Sequence, residues 1–265
     1  MRRTSSNPAL ARIPAFAGPN KTVGFGPGPQ AADPVEQAYF GPTATSRDTG
    51  RLTLEDVTVR TAILLATLVA TGAATWFLNL EALALPAMIV GLVLGLVISF
   101  KQVTNPAVIL SYAAAEGVFL GGVSKLFDAA YNGIVVQAIV GTLGVAAVTL
   151  FLYRSGKVRV TPQFTKMVIG ATAGYMVLLL VNLVVSLFHS GGLGLFQGGL
   201  LSIGLSAFAI GLASMNLILD FDFIDKGVQQ GLPEKYGWLA AFGLVVTLVW
   251  LYVEILRLLS YLRER

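Results

Sequence analysis

Four acidic residues lie inside long apolar stretches of this 265-residue chain: Glu116 in SYAAAEGVFLGG, Asp220 and Asp222 in NLILDFDFI, and Glu254 in WLYVEILRLL. A charge at the centre of a bilayer costs roughly 2.5–3.5 kcal/mol on insertion scales. Each acid therefore needs a reason to be where it is. A carboxylate there can take up a proton, attract a cation, or do both. Two carboxylates held close cannot both stay ionised cheaply, so they share a proton. When both are ionised, their oxygens suit a hard cation such as Ca²⁺. An Asp220/Glu254 pair would be both a pH sensor and a transient calcium site.

Spacing sorts these acids. Asp220 and Asp222 are two residues apart, which on a helix turns them about 200° from each other. They cannot both face one cavity. Asp220 shares a face with Asn216, four residues earlier, which favours Asp220 as the inward acid. Asp222 reads as a headgroup-level residue or as a substitute for Asp220. Arg257 follows Glu254 at i+3 and can pair with it along the helix. The pair either neutralises itself at an interface or lines a polar path, with Arg257 tuning the carboxylate. Glu116 lies among Ala and Gly on a narrow helix face, where it can line the same path or bond to a neighbouring helix. Lys101 can snorkel to the interface or reach an acid.

These residues must be held by membrane-spanning helices. A hydrocarbon core about 30 Å thick takes about 20 apolar residues as helix. Seven stretches qualify, at about 59–78, 83–100, 107–127, 133–153, 165–188, 195–219 and 237–262. Thr53-Leu54-Glu55-Asp56 supplies a cap and first-turn acids for the first. Trp76, Tyr153, Trp238 and Tyr261 fall near span ends, where amphipathic rings settle. Gly91-xxx-Gly95, Gly117, Gly121 and Gly122 allow close helix approach in lipid. Gly91-xxx-Gly95 could alternatively serve dimerisation. The expected fold is an all-α membrane protein, a seven-helix transmembrane domain over 51–265 behind a disordered tail over 1–50. Seven of the 11 prolines lie between Pro8 and Pro42, and the tail has no helical or strand period.

Composition agrees with this and closes off other classes. The chain is 55% hydrophobic and 12% charged, against roughly a quarter charged in soluble domains. It has no Cys and one His, His189. Thiol chemistry, disulfides and His-cluster metal sites are excluded, and no P-loop or HExxH occurs. No enzyme activity, no cofactor and no nucleic-acid binding are expected. The lipid bilayer and cations are the expected partners. Arg47, Arg51, Arg60, Lys101, Arg154, Lys157, Arg159 and Lys166 fall in the loops of one side, which the positive-inside rule makes cytoplasmic, with the N-terminus. Seven crossings then place Arg257, Arg263 and Arg265 outside, against the rule. Either a short basic tail is tolerated there, or one stretch is re-entrant.

At these residues the chain resembles bacterial members of the Bax inhibitor-1 family (transmembrane Bax inhibitor motif proteins), over roughly residues 55–265. The family pattern has an Asp at the end of the sixth helix and an acid in the seventh, within an aromatic-rich stretch followed by bases. Here these are Asp220 and Glu254, and AAAEGVFLGGVS is similar to the third helix with Glu116 in its acidic position. The usual Asp-Thr-Gln is Asp220-Phe221-Asp222 here, and the seventh-helix acid is Glu rather than Asp. The resemblance implies a bundle with the last helix central, in a bacterial plasma membrane. It implies a pH-sensitive, calcium-permeable leak gated by the paired carboxylates. A non-channel interaction protein that modulates a membrane protease or other complex is the alternative from another branch of that family.

Overall fold

The computed structural model describes residues 50–189 and 191–264. The expected tail lies outside these residues, apart from Gly50. Seven helices follow in order: α1 Leu54–Phe77, α2 Ala84–Lys101, α3 Pro106–Ala130, α4 Ile134–Arg154, α5 Pro162–Phe188, α6 Gly199–Gln229 and α7 Tyr236–Arg263. A single 3-10 turn, Glu81–Leu83, precedes α2. All seven helices are long and apolar enough to cross a membrane. The protein is an all-α membrane protein, and among the described residues it has no β-strand.

Local chemistry sets where the helices begin. Thr53 and Asp56 form a reciprocal capping box: Asp56 N–H donates to Thr53 Oγ1 (3.1 Å), and Thr53 N–H donates to the Asp56 carboxylate (3.0 Å). Asn105 and Thr161 cap α3 and α5, each followed by a proline at the first helical position. Inside the spans, the hydroxyls of Thr61, Thr67, Thr75, Thr142 and Thr149 donate to the carbonyl one turn back. This satisfies them where no water can.

α7 is the most buried helix: over its most apolar 18 residues 61% are buried, against 11% in α5. It packs on α1, α3, α4 and α6. α7 is one continuous helix of 28 residues. α1 and α3 cross closely, with Gly72 and Gly121 meeting backbone to backbone. Gly91 and Gly95 of α2 face Glu116 and Tyr112 of α3. The GLVLG motif is thus occupied within the chain, which removes it as a dimerisation face. α5 lies at the edge, packed chiefly on α6 through Val168, Tyr175, Ala209 and Leu212.

Both ends of α6 differ from expectation, as does the start of α1, which begins at Leu54 rather than 59. α6 starts at Gly199 rather than 195, after Gly198 and Gly199 with φ of +89° and +87°. It also runs ten residues past 219, to Gln229, because its late charges find partners: Lys226 donates to Asp222 (2.6 Å), and Tyr153 donates to Asp225 (2.8 Å). At that end Leu52 N–H donates to the Leu232 carbonyl (2.7 Å), and Arg60 binds both the carbonyl and the carboxylate of Glu234. At the other end Arg263 donates to the Asn132 carbonyl (2.8 Å) and to Gln137 (2.9 Å).

Candidate functional site

The acids of α6 and α7 do not meet. Asp220 is half-buried, and its Oδ2 accepts a hydrogen bond from Thr247 Oγ1 at 2.6 Å. Glu254, two turns further along the same α7, is only 2% exposed. Its Oε1 accepts from Tyr175 Oη on α5 (2.7 Å), and Arg257 Nη1 donates to both its oxygens (3.1 and 3.2 Å). Seven residues of helix separate Thr247 from Glu254, about 10 Å of rise. The expected Asp220/Glu254 pair is therefore replaced by two separate carboxylate sites at different depths of one seam. A shared proton and a shared calcium ion both need the two groups adjacent, and here each carboxylate has partners of its own.

Asp222 does not substitute for Asp220. It lies further towards the end of α6 and forms an ion pair with Lys226 at i+4, whose side chain is 56% exposed. Such a pair belongs to the headgroup level. Asn216 shares a helix face with Asp220 but serves another neighbour: its Nδ2 donates to Thr172 Oγ1 on α5 (2.8 Å) and to the Leu212 carbonyl (2.9 Å). Glu116 sits against α2, where a Cβ on Gly91 would come 2.9 Å from its Oε1. Lys101 ends α2, exposed at the bundle face.

Asp220 opens onto a cleft of about 240 Å³ between α2, α6 and α7. Ser99, Phe223, Leu239, Phe242 and Gly243 line it with Asp220. Gly243 keeps one side open, since a Cβ there would stand 3.6 Å from Asp220 Oδ1. Glu254 is enclosed. The Tyr175 ring stacks on Trp250 (5.8 Å, 22° between planes), and the Arg257 guanidinium lies 4.9 Å from the Phe196 ring centre. A buried carboxylate is tolerable only when paired and hydrogen-bonded, and these neighbours do both. Two further buried polar atoms on α6 and α7, Ser206 Oγ and Trp250 Nε1, have no hydrogen-bond partner among the described residues.

A model of the Bax inhibitor 1 like family matches residues 7–264. The chain belongs to the Bax inhibitor 1 like family. No curated protein and no solved structure matches it significantly. Within this family member, the polar residues that sequence reasoning missed are Thr247, Tyr175, Thr172 and Ser99. Thr247 and Tyr175 lie 27 and 79 residues from the acids they serve. The available signal was a hydroxyl inside an otherwise apolar span, which must find a partner when buried.

Proposed function

We propose that this Bax inhibitor 1 like protein is a passive cation leak of a bacterial plasma membrane, with calcium among the ions it passes. In this reading the path follows the α6–α7 seam. Cations enter from the end that carries Asp220 and Thr247, and the path is closed at Glu254. The observation that carries the reading is the state of Glu254: a buried carboxylate on the central helix, locked between Arg257 and a tyrosine from the loosely packed α5. Opening α5 would remove Tyr175 and expose Glu254 to the seam. Trp250 Nε1 and Ser206 Oγ would then gain water as a partner.

The carboxylates are met one at a time. Calcium binds with six to eight oxygens, and among the described residues no group of three or more His, Cys, Asp or Glu could hold a metal ion. Single carboxylates spaced along a seam suit passage rather than storage. A proton on Asp220 removes the charge that draws cations into the cleft, so flux falls with acidification on that side. No catalytic step is assigned to the chain. The basic residues at the Asp220 end support placing that end, with the N-terminal flank, in the cytoplasm.

Proteoliposomes holding a calcium dye test this reading. Passive, saturable calcium entry that the Asp220→Asn variant reduces several-fold supports the leak. Absence of flux from folded protein would overturn it and leave binding to a membrane partner as the function.

A further inference from the structure

The connection between α4 and α5 plays no part in the leak, yet its composition is unusual. Residues 154–166 read RSGKVRVTPQFTK, with Arg154, Lys157, Arg159 and Lys166 and no acid. All four bases are exposed. Among the described residues none of them makes an ion pair. The acids in the adjoining part of α6 are already taken, Asp222 by Lys226 and Asp225 by Tyr153.

Backbone geometry turns these bases outward. α4 ends at Arg154, and Gly156, at φ +68°, makes a turn that a residue with a Cβ would strain. Then Lys157 and Arg159 are exposed while Val158 and Val160 are half-buried. The segment thus turns its two valines towards the protein and its two bases away from it. Thr161 caps α5 and Pro162 opens it. Both flanking helices are membrane spans, so the loop lies at the level of the headgroups, where fixed phosphodiesters are the anions present at highest density.

We propose that the α4–α5 connection binds the anionic headgroups of phospholipids in the leaflet it faces. Four unpaired bases within 13 residues are enough for such a surface, since clusters of about four to eight next to a span recognise anionic lipid. Binding here fixes the first turn of α5, a helix that reaches α6 and α7 through the hydrogen bonds of Thr172 with Asn216 and Tyr175 with Glu254.

The test uses the full chain in a neutral detergent, incubated with equal amounts of phosphatidylglycerol and phosphatidylcholine, with retained lipid read by native mass spectrometry. The native chain is expected to prefer phosphatidylglycerol about tenfold or more, given roughly fivefold for each base near an anionic surface. The preference should fall to within about twofold in R154Q/K157Q/R159Q/K166Q, or at molar salt, where screening acts within about 3 Å. It should persist in the charge-preserving R154K/R159K, in K101Q on the same face, and with excess inorganic phosphate. Equal retention of the two lipids by the native chain would overturn the proposal, as would an undiminished preference in the quadruple variant. Loss of the preference in R154K/R159K would overturn it as well, by showing local shape rather than charge. Displacement by inorganic phosphate would overturn the lipid as the ligand in favour of the free anion.

Discussion

Replacing Tyr175 with Phe removes one oxygen from the seal over Glu254 and little else. The Tyr175 side chain is buried, and its ring packs on Trp250 and meets Phe208 edge-on, contacts a Phe ring keeps. What is lost is the 2.7 Å hydrogen bond to Glu254 Oε1. A hydrogen bond to a charged group contributes about 1.5–3 kcal/mol. If that bond exists only in the closed state, its loss raises the open-to-closed ratio by about 10- to 150-fold, at 1.36 kcal/mol per factor of ten. Passive calcium entry into proteoliposomes should rise by about an order of magnitude or more, until the open state dominates. Thermal unfolding in detergent separates this from simple damage. A lowered Tm with an unchanged leak would make Tyr175 a structural tie and refute the reasoning about α5.

Gly121→Ala should destabilise the bundle by about 1–3 kcal/mol, because its Cβ would fall 2.8 Å from the Gly72 Cα, a backbone atom that cannot swing away; thermal unfolding reads it. Gly144→Ala is the control, with nothing within 4 Å of the new Cβ; it should be neutral, or stabilising by up to about 1 kcal/mol through helix propensity. Arg60→Ala removes both bonds to Glu234 and the contact with the Trp238 ring. With the Glu234 side chain half exposed, the loss should be about 1 kcal/mol, seen as faster proteolysis between Gln229 and Tyr236.

Much of the fold was legible because lipid sets simple rules. Long apolar runs must be helices, so seven spans could be read without knowing any contact. The Thr53 cap and the Glu254–Arg257 pair were legible too, since both are local in sequence. What escaped was long-range. The apolar run appeared to end at Asp220, yet α6 continues because Lys226 and Tyr153 neutralise or bond the acids beyond it. The helical period put Asn216 and Asp220 on one face, but a single face of α6 touches two helices, and each residue serves a different one. At the basic C-terminal end the local pair was legible and the distant contact was not: Arg257 pairs with Glu254 three residues away, while Arg263 donates to the Asn132 carbonyl of the α3–α4 connection.

The most direct test of the leak compares Asp220→Asn with Glu254→Gln in the same calcium-flux assay. An entry at Asp220 and a closure at Glu254 predict opposite signs. Asp220→Asn should slow the leak several-fold by removing the charge at the cleft. Glu254→Gln should speed it by taking the counter-ion from Arg257 and so weakening the closure that Arg257 and Tyr175 make around this position. Changes of the same sign and size in both variants would contradict two separate sites and restore a single coupled pair.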